Sequence, residues 1–205
     1  MNDYIALMSS EENGVLSNIR RKTYLESLSP RMISGPYQAL FLQFLINMIK
    51  PSRVLEIGAF TGYSTIAMAQ ASLPNCIIDT VEFNEELITT LRQSVIEAGY
   101  ENKILIHHTS GISFLNGVNN KYDFIFIDAN KEMNKEYVDL SVSILQTNGI
   151  IAVDNTLWSG KVLSSVRDKQ TENIHQFNRY LKERRDLEVI LLPIRDGLTL
   201  IRKIV

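Results

Sequence analysis

One cysteine, Cys76, is the only thiol in the 205-residue sequence. It excludes an intramolecular disulfide and a multi-thiolate zinc site, and it suits a reducing compartment. An excess of one charge is missing too: 21 Lys and Arg stand against 23 Asp and Glu, a net charge of −2. That supplies no broad basic footprint, so neither nucleic acid nor an anionic membrane is expected as a partner. Long apolar runs are absent; the longest, ALFLQFLINMI, is broken by Gln43 and Asn47, too short and too polar to span a bilayer. The opening MNDYIALMSSEEN lacks the basic-then-apolar order of a secretory signal, and a cytoplasmic protein is expected. No Ser-His-Asp or Cys-His arrangement is visible around Cys76, His107, His108 and His175. The histidines read as a strand end, its neighbour and a surface helix residue.

What is present is a core-forming chain, 45% hydrophobic with 10 Gly and 5 Pro, in which two hydrophobic periods alternate. Short apolar runs at 53–57, 76–81, 103–107, 123–128 and 149–154 read as buried strands. Helical spacing lies near them: Phe41, Phe44, Leu45 and Met48; Leu87, Leu91, Val95 and Ala98; Val138, Val142 and Leu145. This alternation is the mark of an α/β fold with a parallel sheet covered on both faces. After a further helix near 170–185, two runs at 187–193 and 197–203 are separated by three residues. So short a link predicts a hairpin, hence an antiparallel C-terminal strand on an otherwise parallel sheet. Residues 1–30 carry an amphipathic helix (Val15, Leu16, Ile19) with the basic run Arg20, Arg21 and Lys22, read as an extension packed on the core 31–205 of a single domain.

The first strand, RVLEI, ends in Gly58 and runs through AFT to Gly62 before a helix begins. A strand, a glycine-bearing turn and a helix form the place where open α/β sheets bind nucleotide-like ligands. The spacing is G-x-x-x-G, which lacks the third glycine of the dinucleotide fingerprint and the Lys of a P-loop. Glu82, closing the second strand, is placed to accept hydrogen bonds from ribose hydroxyls. A nucleoside without a pyrophosphate suits both facts; a tight βα turn with Glu82 as a helix cap is the plainer alternative. Glu56 lies inside an otherwise apolar strand, where a carboxylate needs a ligand or a donor.

The fourth and fifth strands end in Asp128 and in Asp154 followed by Asn155. In a sheet whose order reverses beside the first strand, these two ends are neighbours. Two carboxylates and an amide oxygen at one point call for a positive charge between them. A hard divalent cation, Mg²⁺ with Ca²⁺ or Mn²⁺ as alternatives, suits oxygen-only ligation; helix or loop capping by each aspartate is the other reading. Lys131, three residues beyond Asp128, is a candidate general base or else a solvated loop lysine.

The segments VLEIGAFTGYS, DFIFIDANK, VDNTLWSGKV and DGLTLIRK together resemble the metal-dependent, S-adenosylmethionine-using O-methyltransferases of the caffeoyl-CoA and catechol type. The resemblance runs from about Arg31 to the C-terminus, and MISGPYQ is similar to the family's cofactor-covering segment. It implies a seven-stranded Rossmann-like sheet, a homodimer, and methyl transfer to one hydroxyl of a catechol-type small molecule, with a CoA ester as one form. It further implies that Glu56, Gly58, Ser64, Glu82 and Asp128 hold S-adenosyl-L-methionine, with the chain near Ser34, Gly111 and Ile112 covering it. Asp128, Asp154 and Asn155 match the metal ligands, Lys131 together with Asp128 the catalytic pair, and Trp158 a residue at the substrate mouth.

The sequence departs from the family pattern at Asn130, in place of an aspartate, at Met133, at Ile112, in place of a small residue, and at Arg195, in place of a glycine. The loop after Trp158 is short. A Rossmann-type oxidoreductase and a non-catalytic cofactor-binding protein are the competing functions. The basic run 20–22 either meets the phosphates of a CoA ester or is a solvated helix face.

Overall fold

A computed structural model describes residues 2–204. Seven strands form one sheet: β1 (Arg53–Ile57), β2 (Ile77–Glu82), β3 (Ile104–His108), β4 (Tyr122–Ile127), β5 (Leu145–Asp154), β6 (Leu187–Leu192) and β7 (Leu198–Lys203). Their order is β3-β2-β1-β4-β5-β7-β6. β7 runs antiparallel to both of its neighbours, and the other pairings are parallel. The reversal expected beside β1 is therefore present, and β4 and β5 lie side by side.

Eight α-helices accompany the strands among the described residues: α1 (Asn2–Met8), α2 (Gly14–Glu26), α3 (Pro36–Ile49), α4 (Tyr63–Ala71), α5 (Glu85–Ala98), α6 (Gly111–Gly117), α7 (Asn134–Ile144) and α8 (Lys169–Glu183). The period of two along each strand divides the core. Val54, Ile78, Phe124 and Phe126 face one way, against Leu42 and Ile46 of α3, Ile66 of α4 and Leu91 of α5. Leu55, Ile57, Ile125 and Ile127 face the other way, against Leu115 of α6, Val138 of α7 and Phe177 of α8. Both faces being covered, the middles of β1 and β4 and the carboxyl-terminal part of β5 are buried on both sides.

The helix expected around Val15, Leu16 and Ile19 is α2, started by Asn13, whose side chain accepts from the Leu16 amide. α1 was not legible in the sequence. α2 docks through polar contacts: Thr23 and Thr61 share a buried 2.8 Å hydrogen bond, and the Tyr63 hydroxyl donates to Glu12, which also pairs with Arg20. The basic run is thereby largely neutralised, because Lys22 pairs with Glu97 at 2.5 Å. Arg21 is left exposed.

β3 runs one residue past the expected end, to His108, and His107 is bonded through Nε2 to buried Asp79 at 2.8 Å. Asp79 also accepts from Arg53 Nε at 2.7 Å and from the Tyr122 hydroxyl at 3.0 Å, so this internal acid is fully partnered within the fold. Among the described residues no helix is long and apolar enough to cross a membrane.

Candidate functional site

The carboxyl ends of β1, β2, β4 and β5 open into one cleft of about 1060 Å³. Ser34, Gly58, Ser64, Glu82, Gly111, Asp128, Lys131, Asp154, Asn155 and Trp158 all line it. Two expected residues do not. Ile112 packs against the core on the α6 and α7 side, and Glu56 lies beneath the cleft, fully buried.

At the β1 end the backbone turns through Gly58 at φ 98°. A Cβ there would stand 2.1 Å from the Asp128 carbonyl oxygen. The glycine is thus required by the approach of β4 as well as by φ, a steric need beyond the tight βα turn or the room for a ligand expected from the sequence. Glu56 Oε2 accepts from Thr80 Oγ1 at 2.6 Å and from Thr65 Oγ1, while Oε1 has no partner. Burial pushes its carboxyl up to about 7 against the opposing hydroxyls of Ser64, Thr65 and Thr80.

Glu82 is fixed by two backbone donors, Phe60 N to Oε2 and Asn84 N to Oε1, both at 2.8 Å. Each carboxylate oxygen keeps a further lone pair for a ligand hydroxyl. Asn84 also caps α5 by accepting from the Glu86 amide, so Glu82 is not itself that cap.

On the β4 and β5 side, Asp128 Oδ1 accepts from Lys131 Nζ at 2.7 Å. Asp154 is buried, and its carboxyl is pushed well up by burial first and by the nearby Asp128 charge second. Lys131, the Gln38 side chain and the Asn155 amide oppose that shift, the last through Asn155 N to Asp154 Oδ1 at 2.8 Å. Among the described residues no group of three or more His, Cys, Asp or Glu is placed to hold a metal. The donor set here is two carboxylates and an amide, all oxygen, with the two carboxylates already repelling one another. That chemistry fits a hard divalent cation.

Asn130, the departure from the family aspartate, accepts through Oδ1 from the Glu132 amide at 3.1 Å. It caps the turn carrying Lys131 as an aspartate would. Met133 packs into the core beneath. Neither departure disturbs the Asp128 to Lys131 pair.

The mouth is made by two interlocked loops. Thr156 N donates to the Gly197 carbonyl at 3.0 Å, and Leu157 N and Trp158 N donate to the Asp196 carbonyl at 2.8 and 3.2 Å. The Ser159 amide donates to the Asp196 carboxylate. Asn155, Trp158, Ser159 and Arg195 all have positive φ, between 49° and 59°, a strained backbone for residues with a Cβ. Gln38, a buried amide on α3 that accepts from the cleft residue Arg195, was not singled out from the sequence; a polar side chain in an apolar helical stripe was the available signal.

A model of the O-methyltransferase family matches residues 6–204. The caffeoyl-CoA O-methyltransferase of Stellaria longipes is 29% identical over 94% of this chain and 85% of its own. The flavonoid 3′,5′-methyltransferase of Vitis vinifera is 30% identical over 82% and 77%. Among solved structures, the SAH-bound methyltransferase PaMTH1 of Podospora anserina superposes with a TM-score of 0.93 at 25% identity, covering 100% of this chain and 94% of that one. The O-methyltransferase TomG of Streptomyces achromogenes, in complex with SAM, gives 0.87 at 25% identity over 98% and 94%. The chain belongs to this O-methyltransferase family. It is an O-methyltransferase with S-adenosylmethionine as methyl donor, which removes the oxidoreductase alternative.

Proposed function

We propose that the protein methylates one hydroxyl of a vicinal dihydroxy aromatic small molecule in a divalent-cation-dependent reaction. The observation that carries this reading is the convergence of Asp128, Asp154, Asn155 and Lys131 on one cleft wall, with Ser34, Gly58, Ser64 and Glu82 lining the same cleft. Ser64 and Glu82 are the side chains placed to hold the methyl donor. Ser34 and Gly111 border the same space and would cover it.

Asp128, Asp154 and Asn155 would hold the cation. When bound there, a divalent cation lowers the pKa of an adjacent phenol, which is about 10 when free. Lys131 in its free-amine form takes the hydroxyl proton. Asp128, hydrogen-bonded to Lys131 Nζ, orients that nitrogen. Trp158, held by the Asp196 carbonyl, bounds the side on which the ring enters. These residues fix the attacking oxygen against the methyl group, a positional effect worth several kcal/mol.

The pinning of Arg20 by Glu12 and of Lys22 by Glu97 speaks for a free small molecule over a CoA ester. α2 serves this unit as a cap, since its Lys22, Thr23 and Glu26 border the cleft. A homodimer is supported by the outer face of α3, where Tyr37, Phe44 and Met48 are exposed and share one helical stripe with Phe41.

Turnover of a panel of catechols, read by mass spectrometry, tests the function. Methylated product is expected with Mg²⁺, lost with chelator and restored by added Mg²⁺. Donor binding without turnover anywhere in the panel would return the protein to a non-catalytic binding role.

A further inference from the structure

Arg195 stands at φ 50° in the turn between β6 and β7, a conformation that a glycine adopts without strain. Its guanidinium is nonetheless held firmly. Nη1 donates to Gln38 Oε1 at 2.9 Å and Nη2 to the Ile33 carbonyl at 3.1 Å, and the group packs over Gly35, whose Cβ would stand 3.9 Å from Cζ. Both acceptors are neutral, and among the described residues no carboxylate lies within salt-bridge distance of Arg195. Of the other cations bordering the cleft, Lys131 and Lys22 are paired with Asp128 and Glu97. Arg31, exposed like Arg195, makes no side-chain hydrogen bond among the described residues. Arg195 is thus the cleft cation that is both fixed and uncompensated, with Nε and the second hydrogens of both terminal nitrogens still to be used.

We propose that Arg195 reads a carboxylate carried by the methyl acceptor. The substrate class is then an aromatic acid with two vicinal hydroxyls, and Arg195 is its specificity-determining residue. This rests on the catechol reading of the same site and narrows it.

The backbone of Arg195 stands on the acceptor side, while its guanidinium reaches back to Ile33 and Gly35 beside Ser34, so the donor's carboxylate is the rival ligand that the test below separates. The donor-side residues Gly58 and Glu82 close β1 and β2, whereas Arg195 precedes β7, three strands beyond β1 in the sheet order. At about 4.8 Å per strand that is about 14 Å of sheet. Next to β7 lies β5, whose end carries Asp154 and Asn155. The Asp196 carbonyl, one residue on, holds Trp158. A forked guanidinium matches a carboxylate in two parallel hydrogen bonds, which gives orientation as well as affinity.

The test compares caffeate with methyl caffeate, which have the same ring and diol but differ in the charge. In the wild-type protein with Mg²⁺ and S-adenosylmethionine, kcat/KM is expected to favour the acid by about tenfold or more, the scale of a charge-assisted hydrogen bond. Added salt should weaken that preference. Arg195→Gly, which suits the backbone angle, should lower the acid-to-ester ratio by about tenfold. Arg195→Gln, which keeps a donor for Ile33, should do the same, while Arg195→Lys retains part of the preference. An unchanged ratio with a raised KM for S-adenosylmethionine would overturn the proposal in favour of the donor's carboxylate. An unchanged ratio with loss on both substrates would reduce Arg195 to a strut for the 33–38 segment. Wild-type turnover of the ester alone, or of neither while another catechol of the panel is methylated, defeats the proposal and keeps the catechol reading; no turnover across the whole panel defeats both.

Discussion

The Lys131 ammonium lies 2.7 Å from Asp128 Oδ1, with 10% and 19% of the two side chains exposed. A loop lysine four residues beyond a strand is ordinarily free to wander, but here the Asn130 cap and the Asp128 carboxylate hold it in the cleft. Lys131→Met should therefore lower kcat by about 10²–10⁴-fold, the usual loss on removing a positioned proton acceptor. Binding of S-adenosylmethionine should persist, and the residual rate should climb with pH as the phenol ionises in solution. A loss of only a few-fold would leave Lys131 without a role in proton transfer.

Glu56 makes stability pH-dependent. Its carboxyl is raised to about 7 by burial, against about 4.3 in an unfolded chain. Between those values the native state keeps a proton that the unfolded state has released. The stabilisation is full below pH 4 and fades as pH rises through 7, by on the order of 3 kcal/mol at most. Glu56→Gln removes this titration. Urea unfolding at pH 5 and pH 8 should show the wild type losing more stability than the variant, and equal losses would contradict the assignment.

Gly58→Ala should be strongly destabilising, because the new Cβ meets the Asp128 carbonyl and the residue keeps φ 98°. A cost of about 2–4 kcal/mol is expected, combining overpacking and backbone strain. The thermal midpoint reads it. A variant that melts with the wild type would mean that the β1 and β4 ends can part easily.

Self-association is tested on the α3 stripe. Phe44→Glu with Met48→Glu places two charges where 60% and 68% of each native residue is exposed. Sedimentation should give a dimer for the wild type and a monomer for the double variant. A wild-type monomer at micromolar concentration would remove the dimer.

Much of this was legible in the sequence because local chemistry determined it. The apolar runs predicted all seven strands to within about two residues except the start of β5, which begins at Leu145 instead of 149. The three-residue link between the last two runs gave the hairpin and with it the antiparallel strand. Asp128, Asp154 and Asn155 were expected at neighbouring points because the strand order sets β4 beside β5, and the three do line one cleft. Ile112 and Glu56 could not be separated from the cleft wall by sequence, since a strand or helix pattern gives the face of a side chain but not its depth. α1 was missed because a seven-residue segment shows too little periodicity.

Contacts between distant segments were decided only in three dimensions. Arg195 lies 157 residues from Gln38, Tyr63 lies 51 from Glu12, and Gly58 is required by the carbonyl of Asp128. The sequence by itself determined the element order and the kinds of atom offered at the strand ends, because both follow from hydrophobic period and side-chain chemistry. Only the tertiary structure decided which charges are cancelled and which remain free in the cleft, because pairing depends on segments that chain folding, and no local rule, brings within a few ångströms.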